Sequence, residues 1–179
     1  MPWDFSTEPE FQAKLDWASE FVRKRVAPLD ILYPHRQLHP LDDELRPIVD
    51  PMKQAARDAG LWATHLGPEL GGVGYGQLKL ALLSEILGVS QWAPIIFGTQ
   101  APDTGNAEII APYGTDEQKA TYLQPLLNGE CFSSYSMTEP QAGSDPQQFT
   151  SRPSRTVTNG SSTGGSTSRP MPARRRFSL

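Results

Sequence analysis

Tyr135-Ser136-Met137-Thr138-Glu139-Pro140-Gln141-Ala142-Gly143-Ser144-Asp145 divides the chain into two parts that read very differently. From Cys131 to Thr138 apolar and polar residues alternate and favour a strand, and Glu139 to Asp145 carries the Pro, Gly and Ser of a turn and loop. Before this stretch the pattern is helical. After Thr150 there is no pattern that a packed element needs.

Working back toward the N-terminus, Thr115-Asp116-Glu117-Gln118 has the form of a capping box, opening a helix through Tyr122, Leu123 and Leu126 to Gly129. A helix is predicted over 103–113 and another over 77–88. Leu66 to Gly76 is a Gly-rich loop feeding the latter. A helix over 41–59 must accommodate Pro47 in its first turn and either kink at Pro51 or start later. The first helix starts near Ser6 or Thr7, shows one apolar stripe of Phe11, Leu15, Ala18, Phe21/Val22 and Val26, and is predicted to end at Ala27-Pro28. Residues 29–40 read as an extended connection. The expectation is a mainly α chain: an α-helical domain over 1–130, the start of a β-domain over 131–150, and a disordered tail over 151–179.

That last segment is almost wholly Ser, Arg, Thr, Gly and Pro, a composition that cannot bury enough surface to offset its ordering entropy. It holds Arg152, Arg155, Arg169, Arg174, Arg175 and Arg176 and no acid, so the net charge of −4 hides a distinctly acidic body. So mild a charge gives no electrostatic case for nucleic acid. Single Cys131 excludes an internal disulfide framework and suits a reducing compartment. No apolar run is long enough for a bilayer and no signal peptide is visible, so the expected location is cytoplasmic.

Most chemistry-bearing residues have a plainer reading. The Gly-rich loop lacks the preceding strand and the following Lys-Ser/Thr of a phosphate cradle, and reads as a helix–helix connection. His35, His39 and His65 show no metal-ligand spacing with Cys131 and read as solvated loop histidines. Asp42-Asp43-Glu44 reads as helix N-terminal charge. Trp3, Trp17, Trp62 and Trp92 read as packing. Gln100, Asp103 and Asn106 suit a ligand pocket or helix packing and capping alike. The stretch at 135–145 stands apart. A flavin needs close backbone approach along its edge and donors for its ring heteroatoms, and a strand ending in Thr with a Gly-Ser turn can supply both.

Met137-Thr138-Glu139-Pro140-Gln141-Ala142-Gly143-Ser144-Asp145 resembles the flavin-site signature of acyl-CoA dehydrogenases. Tyr113 to Lys119, Tyr122 to Glu130 and the Leu70-Gly71-Gly72-Val73-Gly74 connection are similar to the same family's lead-in, in the same order. The resemblance implies an N-terminal helical domain, a middle β-barrel and a C-terminal helical bundle, with FAD as cofactor and acyl-CoA as substrate. It places Tyr135, Met137, Thr138, Gly143 and Ser144 along the flavin. Thr138 would hydrogen-bond the isoalloxazine, and Ser144 would sit where flavin and thioester meet. Intact members are homo-oligomeric, with their catalytic glutamate in the C-terminal region. No residue of this chain matches it, so no catalytic residue is assigned.

The tail carries a second text. Thr156-Val157-Thr158-Asn159-Gly160-Ser161-Ser162-Thr163, reverse-translated with allowed codons and read from each third base, yields Gly-Asp-Glu-Trp-Val-Ile-Asn and continues with Gly. That is similar to the family's next flavin strand. The expectation is a frameshift near Thr150 to Arg152, with an out-of-frame tail and a truncated, inactive enzyme fragment. Two other readings stand beside it: a non-catalytic helical module pairing with an intact paralogue, and a genuine Arg-rich tail that binds anions or nucleic acid.

Overall fold

The computed structural model describes residues 6–34, 43–141, 143–155, 160–163 and 176–178. The readings made for Trp3, His35, His39, Asp42 and Ala142 lie outside them. The chain divides between Phe132 and Ser133 into two compact units.

In the first unit α1 (Pro9–Phe21) starts with its proline in the opening turn, where the missing N–H costs nothing. Phe11, Leu15, Ala18, Val22 and Val26 are all buried, as the stripe requires. Pro28 does not end the rod as predicted. Val22–Val26 forms a π turn, with the Ala27 N–H donating to the Val22 carbonyl, and α2 (Ala27–Leu32) carries on with Pro28 in its first turn. Widening the ladder just before the proline removes the clash and the lost bond that break a regular helix. Pro125 is handled in the same way: Lys119–Leu123 is a π turn, and α8 (Gln124–Leu127) follows.

α3 (Arg46–Asp58) begins later than residue 41, with Pro47 in its first turn and Pro51 inside. An interior proline costs about 3 kcal/mol, while a fully buried Val, Leu or Met side chain contributes about 1.5–3 kcal/mol. Val49, Met52 and Ala56 within α3, and Leu45 just before it, are buried, so packing outweighs the proline. α4 (Gln77–Leu87), the short α5 (Ala93–Ile96) and α6 (Asp103–Tyr113) follow. Residues 59–76 connect α3 to α4 and include a 3-10 turn, Pro68–Leu70. The capping box forms as expected at α7 (Asp116–Gln118). The Thr115 hydroxyl accepts from the Gln118 N–H at 3.2 Å, and the Gln118 side chain accepts from the Thr115 N–H at 2.9 Å.

One core joins these helices. Trp17 stacks on Phe21 at 4.8 Å, and Phe97 meets both edge-on at 6.4 and 6.1 Å. Among the described residues no helix is long and apolar enough to cross a membrane.

In the second unit the predicted strand over 131–138 is shorter than expected. β1 covers Phe132–Ser134, and Tyr135 to Thr138 run on without a ladder. A strand persists only where a neighbour pairs its backbone, and β4 (Arg176–Ser178), the partner of β1, is itself three residues long. Composition predicts disorder over 151–179, yet β2 (Arg152–Arg155) and β3 (Gly160–Thr163) pair antiparallel there, with Arg152 opposite Thr163 and Arg155 opposite Gly160. A hairpin needs only backbone pairing and β-tolerant residues such as Ser and Thr, so it can form where no core does. The rest of that segment lies outside the described residues.

Candidate functional site

The site the sequence singles out is a ledge at the end of β1. Tyr135 and Met137 are exposed at 50% and 47%, and Thr138, Gly143 and Ser144 are exposed as well. The chain reverses between Thr138 and Gly143. A Cβ at Gly143 would lie 3.6 Å from the Thr138 methyl, so the glycine sits beside that side chain. Both hydroxyl-bearing residues are therefore on exposed, non-helical backbone, with the Thr138–Gly143 reversal between them. An edge of this kind offers hydroxyl donors and unobstructed backbone to a planar group.

Two acids shape the reversal, and sequence reasoning assigned neither of them. Asp145 caps the 3-10 turn Pro146–Gln148, accepting from the Gln147 N–H and the Gln148 amide, both at 3.0 Å. Glu139 is almost fully buried, at 7% exposure. One of its oxygens accepts from the Thr150 N–H at 2.8 Å, the Thr150 hydroxyl at 3.0 Å and the Gln141 amide; the other accepts from the Ser151 N–H at 2.8 Å. Gln141 also donates to the Thr150 hydroxyl at 2.9 Å. Donors on Ser151 and Thr150 hold the Glu139 carboxyl down at about 2, outweighing the burial that would raise it. No spacing rule points to this role, because the Thr150 and Ser151 donors lie eleven and twelve residues away and two of them are main-chain amides.

In the helical unit the other candidates resolve toward packing. Asp103 opens α6 nearly buried and accepts from the Gln100 amide at 2.7 Å, and Asn106 is fully buried. His65 is not the solvated loop histidine predicted. Its ring nitrogens are shielded from solvent, and burial pushes its pKa down against the opposing pull of Asp103, which favours neutral imidazole. The loop folds inward here because Leu61, Thr64 and Leu66 are buried on either side of it. His65, Gln100, Asp103 and Trp62 line an enclosed cavity of about 10 Å³, room for roughly one water. Among the described residues no three His, Cys, Asp or Glu side chains gather as a metal site.

Trp62 organises the approach to β1. Its indole N–H donates to the Leu127 carbonyl at 2.7 Å, the Arg57 guanidinium lies 3.8 Å over its ring, and Arg57 donates to the Asn128 carbonyl at 2.7 Å. The last carbonyls of α8 thus receive a cation and an N–H, as a helix C-terminus favours. Gly98 and Gly129 flank the ring with φ of +65° and +71°, and a Cβ at either would lie 2.8 or 2.9 Å from the indole. Both positions need glycine for conformation and for space.

The comparisons identify the helical unit that leads into this segment. The family model for the acyl-CoA dehydrogenase N-terminal domain matches residues 8–130, and the chain belongs to this family. It is 39% identical over 133 residues to acyl-CoA dehydrogenase family member 10 of Mus musculus, covering 70% of this chain and 12% of that protein. It is 38% identical over 142 residues to FadE2 of Mycobacterium tuberculosis, described as a probable acyl-CoA dehydrogenase, covering 79% of this chain and 31% of that protein. A solved structure from Mycobacterium abscessus, described as a putative acyl-CoA dehydrogenase, superposes with a TM-score of 0.68 at 35% identity, over 82% of this chain and 38% of that one. The chain therefore spans well under half the length of these relatives.

Proposed function

We propose that this chain supplies the N-terminal part of an FAD-dependent acyl-CoA dehydrogenase, a class that introduces an α,β double bond into acyl-CoA thioesters. The observation that carries the reading is the reversal that lays Gly143 beside Thr138 with both residues, and Ser144, exposed. When bound, FAD supplies an acceptor for the hydride leaving the β-carbon. On this reading the Thr138 hydroxyl would donate to the isoalloxazine, Gly143 would leave room for it, and Ser144 would hold the thioester end. Exposed Tyr135 and Met137 would add polarisable surface beside it. Donors fixed in advance around the thioester end are what such chemistry requires of the protein.

The base that takes the α-proton is assigned to no residue of this chain, so the chain alone is expected to give no turnover. Flavin fluorescence quenching on titrating the purified protein tests the cofactor reading, and an artificial electron acceptor with acyl-CoA tests the inactivity. Binding of FAD no tighter than to a helical control protein sinks the first; steady turnover sinks the second. The same reading takes residues 151–179 as translated out of frame. Sequencing the gene past codon 179 decides this, since the shifted frame must continue into the rest of the enzyme.

A second reading is favoured by exposed apolar side chains on the helical unit: Ile31 at 83%, Leu32 at 66% and Val89 at 69%. Such a surface suits a helical module that pairs with an intact paralogue. Size-exclusion chromatography showing a clean monomer that binds no apolar dye counts against it.

A further inference from the structure

We propose that Glu139 is a positioning residue: by gripping the chain at Thr150 and Ser151 it ties the two ends of the turn together and so holds Gly143 beside Thr138. The inference rests on the flavin reading above for its purpose, but not for its geometry.

The geometry is a single carboxylate at the centre of four donors. The Thr150 N–H and hydroxyl lie 2.8 and 3.0 Å away, the Ser151 N–H lies at 2.8 Å, and the Gln141 amide completes the set. Hydrogen bonds to an ionised group are about twice as strong as neutral ones. The side chain is 7% exposed, whereas the residues it serves are exposed. One side of this turn is therefore a buried polar anchor and the other a solvent-facing ledge.

Two features make it a clasp rather than a chance contact. The gripped groups are consecutive backbone amides, so the grip does not depend on which side chains follow Ser151. Asp145 meanwhile caps the turn at 146–148 from within the same loop, leaving Glu139 to join the two ends. The residues between the anchors are those that present Gly143 and Ser144. Loss of the carboxylate leaves two main-chain N–H groups and a hydroxyl without their acceptor, and the loop is then free to swing away from Thr138.

The test uses the full 179-residue chain in four forms: unaltered, Glu139→Ala, Glu139→Gln, and the double variant Thr138→Ala with Ser144→Ala. Hydrogen exchange at the Thr150 and Ser151 amides reads the clasp. FAD affinity and the resolved visible band of bound flavin read its purpose. Glu139→Ala should lower protection at both amides and weaken FAD binding, each by about tenfold. Glu139→Gln keeps the shape and one acceptor oxygen but turns an amide N–H toward a donor, so it should recover part of both. The double variant should weaken FAD binding while leaving the two amides protected. Unchanged protection in Glu139→Ala overturns the clasp. Lost protection with FAD affinity intact shows a structural grip only and overturns the positioning role. If the double variant, or the unaltered chain, shows no specific FAD binding to lose, the flavin reading falls and takes the positioning role with it, while the exchange result still decides the clasp.

Discussion

Trp62 and Glu139 each gather backbone from a distant part of the chain, and they do so by opposite means. Trp62 reaches the end of α8 with a large apolar ring, one N–H and a stacked guanidinium, in a unit whose core is continuous from Phe11 to Phe97. Glu139 reaches the start of β2 with a charge, among residues that are mostly exposed. The first device is a local refinement of a fold that hydrophobic burial already holds together. The second acts in a segment whose described residues are mostly exposed. Stability should therefore respond strongly to the ring and weakly to the carboxylate, while the shape of the ledge should respond in the reverse order.

The largest expected effect is that of Trp62→Ala. It removes a half-buried aromatic, leaves the Leu127 carbonyl without its donor and unstacks Arg57, at a cost of about 3 kcal/mol or more. Thermal unfolding followed by circular dichroism should show a midpoint lower by roughly 10 °C. A fall of only a degree or two would mean that α8 is held by other contacts. Gly98→Ala comes next. It places a Cβ 2.8 Å from the indole on backbone at φ +65°, and about 2 kcal/mol of strain should appear in the same melt. If Gly98→Ala destabilises the Trp62→Ala background as much as the unaltered chain, the ring is not what the glycine accommodates.

A smaller loss is expected from Thr115→Ala, which breaks an exposed capping box and should cost about 1 kcal/mol. It sharpens the comparison because this device is fully legible in sequence and yet lies outside the core. A loss of several kcal/mol would place Thr115 among the main supports of the helical unit, which its exposure does not favour.

That contrast shows what the sequence makes readable. The stripe of α1, the bounds of α4 and α6 and the box at Thr115 follow from rules that act within one or two turns. The π turns before Pro28 and Pro125 were not foreseen, because a proline's effect depends on whether the preceding ladder can widen, and packing of Val22, Val26 and Leu123 decides that. The inward fold of His65 and the shortening of β1 depend on neighbours far along the chain. At the ledge, the exposed residues were legible through their resemblance to a family signature. The buried member, Glu139, was passed over as part of a turn, since a carboxylate's partners cannot be inferred when they are main-chain amides eleven residues on.

The smallest effect on global stability, and the sharpest test of the comparison, is the acid titration of Glu139. Its folded carboxyl is held at about 2, below the ordinary carboxylate value of 4.5, so its contribution to stability is full above pH 4.5 and is lost as pH falls through 2, where the grip itself is half released. Carbon chemical shifts of the Glu139 carboxyl should follow that midpoint, with the Thr150 and Ser151 amide resonances moving alongside. In Glu139→Gln nothing should titrate at this site, and the two amides should keep one position across the range. The Trp62 indole resonance reports the helical unit separately, and it should stay fixed while the amides at 150 and 151 move. If the carboxyl instead titrates near 4.5, the four donors do not act on an ionised group, and the ledge must be held by Asp145 and the backbone of the turn alone.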